Sequence, residues 1–219
     1  MDWELVRSSF WPLVRGAITG TIPLSLASFA LGLALALVVA LMRLSRVRII
    51  AGLGRAYVSV IRGTPLLVQL FVIFYGLGSI GLRIDPWPSA IIAFSMNVGG
   101  YAAEVIRAAI LSVPKGQWEA AHMIGMPRGL ALRRIILPQA ARVSVPPLSN
   151  TFISLVKDSS LASLILVTEM FRRAQEIAAF SGDFMVVYIE AAALYWVICL
   201  VLSAGQSVLE ERLDRYVAH

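Results

Sequence analysis

Few side chains in this sequence could do chemistry, and those that stand out are charged or amide groups set inside long apolar runs. Lys157-Asp158-Ser159-Ser160 is preceded by Ser149, Asn150, Thr151 and Ser154, while Asn97 lies beside Gly99-Gly100 and is followed by Glu104 and Arg107. A charge near the centre of a bilayer costs about 2.5 to 3.5 kcal/mol on insertion scales, so each one held there needs a partner or a task. Two tasks suit these groups: clamping one helix to another, or lining a polar route for a solute. Lys157 and Asp158 are adjacent, so on a helix they point about 100° apart and cannot pair along one ridge. One or both must meet another helix or water. Glu104 and Arg107 are three apart, share a face and can neutralise one another. Asn97 could hydrogen-bond a solute or glue two helices. Glu190, in the outer part of a late apolar run, can reach toward headgroup water.

Catalysis is a poor fit. His122 and His219 are isolated, and Cys199 is the sole cysteine, which rules out an internal disulfide and a cysteine metal cluster. No set of His, Cys or paired acids falls at one depth, as an embedded enzyme would need. A Gly-x-x-x-x-Gly-Lys-Ser/Thr phosphate loop is missing, so ATP hydrolysis by that route is excluded. If transport through such a protein is powered, the motor is another chain.

Between apolar runs lies a polar, helix-compatible insertion, Glu119 to Pro138, EAAHMIGMPRGLALRRIILP. Pro114 and Lys115-Gly116-Gln117 can open a short helix, Ala120-Ala121 keep one face of it low, and Gly125 supplies its exit. Pro127 suits the start of a second helix carrying Leu130, Leu132, Ile135 and Ile136, with Leu137 and then Pro138 expected to limit it. Two short helices joined at a glycine make a knuckle, which a groove on another protein could grip. The alternative is an amphipathic loop lying flat on headgroups.

The elements that carry these groups follow from composition. Hydrophobic residues make up 58% of the 219 and charged residues 15%, with a mean hydropathy of +0.79, far from a soluble domain. From Arg15 to Arg43 run 27 uncharged residues, which at about 1.5 Å each exceed a core of roughly 30 Å. Apolar segments then recur to the end, unlike a signal peptide followed by a soluble body. Five spans fit: 17–42, 55–79, 88–111, 144–168 and 186–208, in one domain covering 1–219. Arg62-Gly63-Thr64-Pro65 breaks the second, which favours an inward position where neighbours satisfy the freed backbone. Five spans do not divide into inverted halves, which disfavours that class of secondary transporter.

With the N-terminus outside, inner segments hold Arg43, Arg46, Arg48, Lys115, Arg128, Arg133, Arg134, Arg142, Arg212 and Arg215, against Arg7, Arg15, Arg83, Arg172 and Arg173 outside. Retention of positive charge inside therefore puts the 114–138 knuckle and the C-terminus in the cytoplasm. The net charge of +6 is explained by that bias and by anionic lipid, and calls for no nucleic acid. Glu169, Arg172, Arg173 and Glu176 are expected outside, as a solvated turn or a seat for an extracytoplasmic partner. Trp3, Trp11, Trp87 and Trp196 include interface anchors.

Glu119-Ala120-Ala121, three residues, Gly125, nine residues, Ile135, one residue, Leu137-Pro138 is the motif of permease subunits of ATP-binding-cassette importers. RGTPLLVQLFVIFYGL at 62–77, YAAEVIRAAI at 101–110, VPKGQWEAAHMIGM at 113–126, ILPQAARVSVPPLSNTFISLVKDSSLASLI at 136–165 and ALYW at 193–196 extend the likeness over most of the chain. The sequence resembles the polar amino acid importer permeases, which include histidine, glutamine, arginine and cystine systems. Its runs at 85–104 and 136–165 look most like permeases for L-cystine. The resemblance implies an all-α membrane protein of type I permease fold, with five transmembrane helices and cytoplasmic coupling helices. It also implies a second permease, identical or related, two ATPase subunits that bind ATP-Mg, no cofactor in this chain, and a periplasmic or lipid-anchored binding protein. Residues 119–125 would be the coupling helix docked on the ATPase. An amino acid carries an ammonium and a carboxylate, so a pathway offering Asn97, Glu104, Lys157, Asp158 and Ser159 would suit it. The rivals are another amino acid substrate or a gradient-driven transporter that uses Lys157 and Asp158 as a relay.

Overall fold

The computed structural model describes residues 3–214, and every regular element in them is helical. Arg215 and His219 lie outside the described residues. Helix α1 runs Trp3–Arg43, longer than its apolar stretch, with one widened turn over Ala17–Thr21. Helix α2, Arg48–Gly63, and α3, Leu66–Ser79, meet at a 106° bend. Helix α4 spans Pro86–Ser112 and α5 Lys115–Met123. Helix α6, Arg128–Ile165, meets α7, Met170–Ser181, at 51°, and α8 covers Phe184–Asp214. Three helices are long and apolar enough to cross a bilayer unbroken, and counting each bent pair as one span makes five.

The bend between α2 and α3 is written in Thr64-Pro65. Proline lacks the N–H that would bond the carbonyl four residues back, and it pushes its predecessor to extended backbone. Thr64 accordingly sits at φ −124°, ψ 146°.

Lipid tails are as apolar as leucine, so burying apolar surface does little to drive helices together in a membrane. Close contact through small residues does more. Helices α1 and α4 form the central pair, and the core they share includes Leu24, Ala36 and Ala40 against Ala90, Ala93, Phe94 and Ala102. A Cβ on Gly32 would stand 2.6 Å from Val98, and one on Gly100 would stand 2.6 Å from Ile61 of α2. Both contacts require glycine. Leu13 and Ala17 of α1 pack with Met170, Ala174 and Ala178 of α7 and Val187 and Ala191 of α8. Ala109, Ile110 and Val113 meet Ile136 and Ala140 at the base of the knuckle.

One expectation about a helix end fails. Pro138 does not limit the second knuckle helix. Helix α6 runs on, with a wide turn over Leu132–Ile136 where Leu137 N bonds Leu132 O, and then regular helix over Leu137–Asp158. The extra residue in that turn removes the fixed geometry with which a proline ring clashes. Lys157-Asp158 sits where α6 tightens into a 3-10 segment, Ser159–Ile165, that ends on left-handed Leu166 at φ 66°.

Glu169 belongs neither to a solvated turn nor to a partner seat, because it is fully buried. It caps α7, accepting from Phe171 N at 2.8 Å and Arg172 N at 2.7 Å. Tyr195 Oη donates to it at 2.9 Å, and Thr21 Oγ1 lies 3.3 Å away. Arg172 and Arg173 are the surface pair-formers, both to Glu176. Glu190 takes a hydrogen bond from Ser9 of α1 instead of turning to headgroups.

Candidate functional site

A cavity of about 420 Å³ opens beside the α2–α3 break. Thr64, Pro65 and Leu66 form one wall, Asn97, Val98 and Tyr101 of α4 a second, and Asn150, Thr151, Ser154, Leu155 and Asp158 of α6 a third. Spacing explains the third wall: 147, 151, 154 and 158 fall on one helical ridge, and three of those positions carry polar side chains. Asp158 is the one charged residue among the lining groups. Asn97, Asn150, Tyr101 and Ser154 add amides and hydroxyls to it.

The break itself holds a hydrogen-bonded knot. Gln69 Nε2 donates to Ile61 O at 2.7 Å, to Thr64 O at 3.1 Å and to Thr64 Oγ1 at 2.9 Å. Asn97 Nδ2 donates to Gln69 Oε1 at 3.1 Å. Ile61 O is the carbonyl that Pro65 leaves without its helical donor, so the Gln69 amide replaces a missing backbone group. Tyr57 Oη donates to Met96 O at 2.6 Å, and the Arg62 guanidinium lies 5.4 Å from the centre of the Tyr101 ring, within cation–π range.

Of the five residues expected to line a pathway, the cavity gathers Asn97 and Asp158. Lys157 points the other way, into a separate pocket of about 550 Å³ with Tyr188, Tyr195, Trp196 and Cys199, as the 100° step between neighbours requires. Ser159 is buried and donates to Val156 O at 2.8 Å. Glu104 pairs with Arg107, whose Nε lies 3.1 Å away, and with Arg43 of α1. That trio ties the end of α1 to α4. Gln69 and Thr64 were not foreseen from sequence, although a proline four residues after Ile61 and a glutamine four after the proline was a readable hint.

The knuckle is built as its sequence suggests at its first half. Helix α5 closes with Gly125 N on His122 O at 2.9 Å and Met126 N on Ala121 O at 3.0 Å. This double bond pattern requires the left-handed residue supplied by Gly125 at φ 73°. Ala121 is buried, whereas Glu119 and Ala120 are exposed, and Met123 and Ile124 project with 85% and 74% of their surface free. Two large apolar side chains displayed at a polar tip are what a recessed protein surface would cover. Ile135 and Leu137 pack partly under the knuckle against the cluster of Ile110 and Ile136, and Pro138 is exposed. Arg128 lies over the Trp118 ring at 5.6 Å, beside a groove of about 1110 Å³ between α5 and the ends of α1 and α4.

The family model described as binding-protein-dependent transport system inner membrane component matches residues 30–215. The chain is similar to the L-cystine transport system permease protein TcyB of Bacillus subtilis (strain 168), 62% identical over 219 residues, which cover 100% of this chain and 94% of the relative. It is also similar to the nopaline transport system permease protein NocM of Agrobacterium fabrum, 39% identical over 213 residues, covering 93% and 88%. Among solved structures it resembles that of an amino acid ABC transporter, with a TM-score of 0.89 and 37% identity, covering 97% of this chain and 99% of that one.

Proposed function

The chain belongs to the binding-protein-dependent transport system inner membrane components, and from that premise we propose that it is the permease of an ATP-driven importer for L-cystine. The substrate choice rests on the 62% likeness to a permease named for L-cystine, while a relative at 39% carries the name of another solute. L-cystine is zwitterionic at each end. The carboxylate of Asp158 would attract an ammonium, and Asn150 and Ser154 would donate to a carboxylate.

Two ATPase subunits that bind ATP-Mg, an extracytoplasmic binding protein and a second permease complete the assembly in this reading. The N-terminus lies outside and the knuckle in the cytoplasm, following the Lys and Arg bias. Met123 and Ile124 then seat in the ATPase, with Glu119, Ala120 and Gly125 shaping the contact and Ile135, Leu137 and Pro138 supporting it from behind. ATP-driven closure of the motors moves the two permeases between inward-open and outward-open states, and the cavity residues contribute by contacting solute differently in each.

The observation that carries the solute path is the convergence of Asn97 and Asp158 on one cavity at the broken helix. It is tested in vesicles holding the assembled transporter. Asp158→Asn and Asn97→Ala should each cut ATP-dependent L-cystine uptake at least tenfold while the complex still assembles. Unchanged uptake in both would remove the pathway assignment.

A further inference from the structure

We propose that Gln69 is a positioning residue: it turns the carbonyl oxygen of Asn97 into the cavity, so that the cavity reads the ammonium group of its solute. This rests on the pathway reading above and adds to it a polarity that Asn97 alone does not have. An asparagine side chain presents either a donor or an acceptor, and rotating it by half a turn exchanges them. Here the choice is made by atoms outside the cavity.

The chain of reasoning starts at Pro65. Lacking an N–H, it leaves Ile61 O unpaired at the end of α2, and Thr64 O is free because the helix has stopped. Thr64 Oγ1 has its proton committed to Val60 O at 2.8 Å, so toward Gln69 it can only accept. Three acceptors therefore face one end of the Gln69 amide, at 2.7, 3.1 and 2.9 Å. That end must be the NH₂. Reversal would set the Gln69 oxygen against two carbonyls and a hydroxyl lone pair and leave Ile61 O, on a buried residue, without a donor, a cost of about 1 to 3 kcal/mol.

With its nitrogen fixed, Gln69 offers only its oxygen to Asn97, and Asn97 must answer with NH₂, as it does at 3.1 Å. The remaining atom, Asn97 Oδ1, takes no hydrogen bond from protein among the described residues and belongs to a residue lining the cavity. Asp158 supplies the negative charge across from it. Two acceptors on facing walls and no cation among the lining groups select a solute end that donates and is positive, a primary ammonium. Donors for the opposite end remain on Asn150 and Ser154, since the Thr151 hydroxyl is committed to Pro147 O at 2.9 Å.

The test measures binding to the purified permease–ATPase complex without binding protein, using L-cystine and the analogue in which hydroxyl replaces each amino group. The wild type should favour the amine at least tenfold. Asn97→Ala should abolish that preference. Gln69→Leu should abolish it equally, and the double variant should lose nothing more, because both act through one oxygen. A residue that merely capped the helix break would weaken both ligands alike and add to Asn97→Ala, and that outcome would overturn the proposal. A second arm leaves position 69 intact. Asn97→Asp adds negative charge, which simple attraction would turn into tighter binding of the amine, but it sets an acceptor against Gln69 Oε1, so binding of the amine should fall about tenfold below wild type. Tighter binding would refute the role of Gln69 even if Gln69→Leu did not fold. If instead Asn97→Ala and Asp158→Asn both bind like wild type, the pathway reading itself is what fails.

Discussion

Replacing Glu169 with alanine should destabilise the protein more than any other single change to a polar side chain outside the cavity. The carboxylate is fully buried and accepts from two backbone amides at the start of α7, from Tyr195 and from Thr21. Losing a helix cap costs about 0.5 to 2 kcal/mol. Leaving the Tyr195 hydroxyl without its acceptor adds roughly 1 to 3 kcal/mol. Thr21 retains a bond, since its Oγ1 also accepts from Met170 N at 3.2 Å. A total near 3 kcal/mol follows, which for a chain of this size corresponds to a melting point lower by roughly 6 to 12 °C. Glu169→Gln should lose about half as much, because one oxygen can still face the Oε2 partners while its NH₂ meets the Arg172 N–H. Tyr195→Phe in the alanine background should recover part of the loss, because it removes the hydroxyl left without an acceptor. The measurement is thermal unfolding of the purified permease in one detergent, followed by intrinsic fluorescence. A Glu169→Ala midpoint within about 2 °C of wild type, with the described helices intact, would mean the network is not what joins α1, α7 and α8.

Gly20→Ala should fail to accumulate in membranes, because its Cβ would lie 2.5 Å from Glu169 Cα and 2.6 Å from Thr168 O. Gly129→Ala, with nothing within 4 Å of the added carbon, should accumulate normally and serve as its control; immunoblotting of membranes compares them. Gly125→Pro, at φ 73° where a proline ring cannot follow, should leave insertion intact but separate ATP hydrolysis from uptake in reconstituted vesicles. Retained coupling would count against docking through the knuckle.

How much of this was legible depends on how local each determinant is. Gly125 followed by Pro127 fixes the turn of the knuckle within a few residues, and the bend at Thr64-Pro65 follows from the missing N–H of a single proline. The divergence of Lys157 from Asp158 also follows from the helical step, although which side faces the cavity does not. Pro138 does not end the helix because the wide five-residue turn Leu132–Ile136 accommodates it, and nothing in the local spacing marks that turn. Glu169 was misplaced for a different reason. Its partners Thr21 and Tyr195 lie 148 and 26 residues away in sequence, so its burial exists only once α1 and α8 have closed over it. The same holds for Glu104, whose near partner Arg107 could be read off the helix face but whose second partner Arg43 is contributed by α1.

The unbroken run of α6 has a mechanical consequence. From Arg128, at the start of the knuckle's second helix, to Asp158 on the cavity wall the chain is helical through thirty-one residues, a strut of about 46 Å. Tilting such a strut by 10° about one end carries the other through roughly 8 Å, so a small push on the tip becomes a large stroke at the carboxylate. Pro146 and Pro147 lie inside it and remove two of its internal bonds, which places a softer collar between the driven end and the working end. Stiffness on either side of that collar, and yield within it, set how much of the stroke arrives.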